Sequence, residues 1–179
     1  MNVSPGAGRP LAADERELLD RLIREFGPRL LGYVRRTYGP RIDAEEIVAE
    51  SFCRAAANMP TFKACDRQDL YLLTTARNLC RDRFRRQRDT GTGDGLDQYP
   101  ASIGRPDKSV TQTERREALL AAIDGLPVVQ REVVTLRLSG TLKFEEIAQL
   151  LGVPLGTVLS RMHAGLQRLK QRLGSSDER

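Results

Sequence analysis

The sequence has no tryptophan, and aromatic residues fill only 5% of its 179 positions. Strands favour aromatic and β-branched residues, so this shortage, together with 30% charged residues, points to helices. The only histidine is His163, and the three cysteines, Cys53, Cys65 and Cys80, form no C-x-x-C pair. Structural zinc needs clustered Cys and His ligands, so no metal site is expected and the thiols read as reduced. No run approaches the ~18 apolar residues that a membrane span requires. The first ten residues, MNVSPGAGRP, lack the apolar core of a secretory signal. The expectation is a soluble, cytoplasmic protein with no membrane insertion and no cofactor. Its net charge of +5 is compatible with nucleic acid without requiring it.

Punctuation by Gly and Pro divides the chain. Residues 1–13 carry two prolines and two glycines and read as a disordered leader. Helical spacing then runs through Leu18, Leu19, Leu22, Ile23 and Phe26, is interrupted at Gly27-Pro28, and resumes at Leu30, Leu31, Val34 and Tyr38. Asp43 has the features of an N-cap, with Glu46 as the capping-box acid, and Pro60 ends the helix it starts. A longer helix is expected from about Asp66 to Gln87. Residues 89–112 hold several Gly and Pro residues and few apolar ones, and read as a linker. Four more helical segments follow, with breaks near Gly125, Gly140 and Gly152. The expected fold is all-α: a helical domain over 14–88 and a second over 113–175, the latter a helix-turn-helix.

Three segments carry chemistry. The stretch DAEEIVAE, opening at Asp43, has four acids and no base. Ala44, Ile47, Val48, Ser51, Phe52, Ala55, Ala56 and Met59 share its buried face, and Glu46 and Glu50 lie away from it. An acidic face repels DNA and suits a basic protein partner, or is simply solvated. Paired carboxylates also suit acid–base catalysis, but no nucleophile, ligand histidine or phosphate loop accompanies them, so the chain does not read as an enzyme. The stretch RDRFRRQR, residues 81–88, holds five arginines and one aspartate. Its arginines, among them Arg81, Arg85 and Arg86, can reach phosphates or can favour the helix dipole. Upstream on the same helix, Tyr71, Thr74, Thr75 and Asn78 can stack on and hydrogen-bond an unpaired base, or serve as core and surface residues.

The third segment is EEIAQLLGVPLGTVLSRMHAGLQRL: a short helix, a turn at Gly152 and a second helix. The second helix of such a motif enters the major groove with its early residues at the base edges. Val158, Met162, Leu166 and Leu169 are expected to form its buried stripe. Leu155, Gly156, Leu159, Ser160, His163 and Ala164 fall on or near the open face, with Thr157 at the start. Arg168, Lys170 and Arg172 follow as possible phosphate anchors, and Gly165 weakens the helix by ~1 kcal/mol relative to Ala.

In this order, DAEEIVAESFCRA, LYLLTTARNLCRDRFRR, LPVVQREVVTLRLSG and FEEIAQLLGVPLGTVLSRMHAGLQRL resemble the extracytoplasmic-function group of bacterial sigma factors. The resemblance implies the second and fourth sigma domains, joined by a linker. It implies binding to core RNA polymerase through Asp43, Glu46 and Glu50, and binding and opening of the promoter −10 element through Tyr71, Thr74, Asn78, Arg81, Arg85 and Arg86. It implies contact with the −35 element through Thr157, Leu159, Ser160, Arg161 and His163, and an anti-sigma factor as a further partner. The chain departs from the group's pattern by carrying Tyr71 where Trp is common, and Leu159, Ala164 and Leu166 where basic residues are usual. A recognition helix so depleted either reads weakly or reads thymine methyls through Leu159. The alternative is a sigma-like DNA-binding regulator, or a decoy held by an anti-sigma protein, that does not initiate transcription.

Overall fold

A computed structural model describes residues 10–89, 112–138 and 142–174, with side chains over 10–86, 117–138 and 142–174. The expected leader, most of the expected linker and the break at Gly140 lie outside these residues. The described residues are helical, without a strand: α1 (Ala13–Tyr38), a 3₁₀ turn (Gly39–Arg41), α2 (Ala44–Ala57), α3 (Met59–Ala64), α4 (Gln68–Asp89), α5 (Gln112–Asp124), α6 (Val128–Leu138), α7 (Phe144–Leu151) and α8 (Leu155–Gly174). They divide into two compact units, 10–35 with 40–86, and 36–39 with 87–89 and the residues after the linker.

In the first unit, α1 runs through Pro28 without a break. This corrects the expected interruption at Gly27-Pro28. Proline costs a helix interior one hydrogen bond. Here the turns on both sides bury leucines, Leu19 and Leu22 before it and Leu30 after it, while Pro28 itself is exposed. Packing therefore outweighs local propensity. Asp43 caps α2 as expected, its Oδ1 accepting from the Glu46 amide at 3.0 Å. Pro60 does not simply stop a helix. It sits in the first turn of α3, where its missing N–H costs nothing, and Met59 belongs to α3 instead of α2. Ile47, Phe62 and Leu72 are the centre of the unit, each almost wholly buried. Lys63 on α3 donates to Asp14 on α1 at 2.8 Å.

In the second unit, α8 packs on α5, α6 and α7. Ala122, Ile123, Leu126, Val134 and Leu169 form the core, with Met162 and Leu173 packed against it. On α7, Ile147, Ala148 and Leu151 face the core. Those three are buried, and Phe144 is half-buried with the Arg137 guanidinium 5.2 Å from its ring centre. Glu146 accepts the Lys143 amide at 2.6 Å, which satisfies a first-turn donor of α7. Gly152 ends α7 with φ +65, a left-handed cap, and the Val153 amide closes back on the Ala148 carbonyl at 3.2 Å. That locally closed turn sets the start of α8.

Candidate functional site

On α4, Tyr71, Thr74, Asn78, Arg81 and Arg85 follow one another at alternating intervals of three and four, which places them along one face. Tyr71, Thr74, Thr75 and Asn78 line an open cavity of ≈ 620 Å³ together with Cys65, Asp66, Arg67 and Leu70. The ring of Tyr71 stands edge-on to Phe62, centroids 5.2 Å apart at 65°. The half-buried hydroxyls of Thr74 and Thr75 donate to the Leu70 and Tyr71 carbonyls at 2.7 and 2.8 Å. Each hydroxyl oxygen keeps the capacity to accept a hydrogen bond. Asn78, Arg81, Arg85 and Arg86 are exposed. The face thus passes from an aromatic and amide-lined hollow into cations.

Residues 65–67, which wall this hollow, had no signal in the sequence beyond the helix start expected at Asp66. Arg67 grips Asp69 through two hydrogen bonds of 3.0 and 2.9 Å. The Arg67 guanidinium holds the Asp69 carboxyl below the usual carboxylate range, against partial desolvation. This pair stiffens the entry to α4.

The acidic face of α2 is not free of bases, as its sequence alone suggested. Arg83 on α4 donates to both oxygens of Glu46, at 2.7 and 2.6 Å, and to Glu50 at 3.3 Å. Glu50 also accepts from Arg54 at 2.7 Å, and Glu45 pairs with Arg35. Glu46 therefore does not serve as a capping-box acid, because a bidentate guanidinium is a stronger partner than one backbone amide. The Arg83 hydrogen bonds hold the Glu46 carboxyl below its ordinary value of 4.5. A carboxylate depressed by folding stabilises the fold above its unfolded value, and that contribution is lost as pH falls through the folded one. Denaturant midpoints should therefore drop below about pH 4.5. Glu46→Gln should be less stable than wild type at neutral pH and show a shallower acid loss. Equal acid profiles for the two proteins would show the ion pair to be energetically silent.

On α8, Val158, Gly165 and Leu169 are buried and Met162 is half-buried, but Leu166 is half exposed. The inner stripe passes through Gly165 instead of the expected Leu166. A Cβ at Gly165 would stand 2.9 Å from Val134 Cγ2, so the missing side chain lets α8 and α6 approach. Leu155, Gly156, Leu159, Ser160 and His163 lie on the open face, while Thr157, Arg161 and Ala164 are half-buried. The Ser160 hydroxyl donates to the Thr157 carbonyl at 3.0 Å, and Gln167 lies 2.9 Å from His163 Nε2. Two of the expected phosphate anchors are engaged inside the unit: Arg168 donates to Gln130 at 2.8 Å and Arg172 to the Ala122 carbonyl at 3.3 Å. Lys170 is exposed.

A helix-turn-helix in one unit, and in the other a long helix running from an open polar and aromatic hollow into arginines, fit a two-part protein of the sigma-70 type. Residues 22–90 match sigma-70 region 2, and residues 116–169 match sigma-70, region 4. SigE of Mycolicibacterium smegmatis, an ECF RNA polymerase sigma factor, is 33% identical over 158 residues, covering 86% of this chain and 61% of SigE. EcfG of Rhodopseudomonas palustris, also an ECF RNA polymerase sigma factor, is 31% identical, covering 70% of this chain and 68% of EcfG. The chain belongs to the ECF group of RNA polymerase sigma factors. Its fold is similar to that of the sigma factor RpoE from Bartonella quintana, solved in complex with the anti-sigma factor NepR: TM-score 0.68 at 22% identity, over 92% of this chain and 99% of that one. The chain spans about three fifths of the length of SigE. Among the described residues, no helix is long and apolar enough to cross a membrane, and no cluster of His, Cys, Asp and Glu could hold a metal ion.

Proposed function

We propose that this protein brings core RNA polymerase to promoters and assists DNA opening, with residues 14–88 acting as the second sigma domain and 113–175 as the fourth. The observation that carries the reading is the α4 face. A base leaving the duplex must exchange stacking for other contacts, at a cost of a few kcal/mol. Tyr71 offers an aromatic surface, Thr74 and Asn78 offer hydrogen bonds to a base edge, and Arg81, Arg85 and Arg86 offer charge to the flanking phosphates. The hollow is open and more than large enough to admit a nucleobase.

Core polymerase docks at Asp43, Glu46 and Glu50 in this reading, and a basic surface on polymerase competes with Arg83 for the two glutamates. α8 meets the −35 element through Leu159, Ser160 and His163 on its open face and through the half-buried Thr157 and Arg161 beside it. Run-off transcription tests this directly. Sigma-free core polymerase and this protein, given sheared DNA of the source genome, should yield discrete start sites sharing an upstream word. Polymerase binding without any protein-dependent transcript would favour a sigma-like regulator that does not initiate.

A further inference from the structure

We infer that the −35 word of this protein contains thymines read by their C5-methyl groups, with Leu155 and Leu159 on α8 as the residues that read them. The inference rests on the reading of α8 as the −35 helix.

Single exposed leucines are common on helices, but these two stand one turn apart on the same open face. Leu155 and Leu159 are 38% and 45% exposed, although the core of the unit closes without them. They occupy the first turns of α8, the part of such a helix that reaches base edges. One turn apart, they are separated by roughly 6 Å along the helix axis, about two base-pair steps. Gly156 lies exposed between them, with open space where a Cβ would stand, so the backbone can come close to the groove floor. The guanidinium nearest this leading face, that of Arg161, belongs to a half-buried residue, and none of the exposed positions Leu155, Gly156, Leu159, Ser160 and His163 carries Lys or Arg to pair with guanine. Ser160 directs its proton to the Thr157 carbonyl and offers the groove an acceptor. In the major groove, the apolar feature that separates thymine from the other bases is its methyl group.

Charge selects DNA over a protein partner for the same leucines. α8 carries Arg161, Arg168, Lys170 and Arg172 and no acidic residue. An apolar strip on an all-cationic helix fits a methyl-lined groove between phosphate rows. The helix therefore combines sequence-independent attraction with apolar reading, instead of the guanine pairing that a basic leading face provides.

The experiment changes the DNA and leaves the protein intact. Promoters mapped by run-off transcription are rebuilt with deoxyuridine in place of thymine across the −35 word, which removes only the methyl groups. Each methyl that faces Leu155 or Leu159 should be worth about fourfold in transcription at limiting holoenzyme, the factor that burial of one methylene-sized group gives. Leu159→Ala should transcribe less and lose most of the thymine-over-deoxyuridine preference. Robust transcription that ignores the substitution, or a mapped −35 word with no thymine on either strand, would overturn this inference alone. An undiminished Leu159→Ala protein would do the same and leave the leucines to a protein partner. Failure of the thymine templates themselves to give transcripts would overturn the sigma reading, and the inference with it.

Discussion

Gly165→Ala is expected to destabilise the second unit by about 1–3 kcal/mol, the usual cost of forcing a methyl group into a filled core. Propensity alone predicts the opposite sign, because alanine is favoured over glycine in a helix interior by ~1 kcal/mol. The two arguments are separable because they refer to different atoms. Propensity concerns the backbone of α8. Packing concerns the 2.9 Å that would separate a new Cβ from Val134 Cγ2, on a neighbouring helix whose valine is itself buried. Real carbon atoms do not approach so closely, so α6 and α8 must move apart. Urea midpoints of the two proteins measure the balance. Val134→Ala removes the opposing methyl, and in the Gly165→Ala background it should restore part of the loss, giving a coupling of opposite sign to the single effects. A Gly165→Ala protein as stable as wild type, with no coupling to Val134, would show that the helices yield without cost.

Tyr71→Ala is expected to reduce promoter opening by about five- to 150-fold, matching the ~1–3 kcal/mol that a base–aromatic stack contributes. Tyr71 is positioned from below by Phe62, which is wholly buried and meets it edge-on at 5.2 Å. That contact holds the ring at the wall of the hollow and limits the entropy lost when a base arrives. Tyr71→Phe keeps the face and should remain close to wild type. Tyr71→Trp enlarges the face and should open promoters at least as well. Permanganate reactivity of unpaired −10 thymines reads opening directly, while co-purification with core polymerase reports on the acidic face of α2. Wild-type opening by Tyr71→Ala would remove the ring from the mechanism. A loss shared equally by the Phe and Ala proteins would transfer the effect to the hydroxyl.

Much of this arrangement was visible in the residue pattern because it is local. Asp43 announces the start of α2, and Gly152 announces a turn that closes on its own backbone. Periods of three and four residues place Tyr71, Asn78 and Arg81 on one side of α4. What the pattern hid is tertiary. Pro28 has the sequence form of a break, yet α1 continues, because leucines on both flanks are buried against neighbours the local sequence does not name. Gly165 and Leu166 exchange their expected roles: a spacing of four from Met162 selects Leu166, but the approach of α6 at Val134 leaves room only for a glycine. Arg168 and Arg172 read as plain cations in sequence, and only the fold brings Gln130 and the Ala122 carbonyl to them as hydrogen-bond partners. Arg83 is the sharpest case. It stands among arginines that all look alike in sequence, and only the crossing of α4 by α2 separates it from the others.

The position of Arg83 has a thermodynamic consequence. Its guanidinium is held by Glu46 and Glu50 on the acidic helix, and it grows from the same helix as the cations that face outward. A ligand that draws Arg83 away exposes Glu46, and a ligand that takes Glu46 releases Arg83. Linkage requires the two effects to be equal in free energy. Any ligand that draws Arg83 off the acidic helix would therefore favour a ligand that takes Glu46, and the reverse by the same factor.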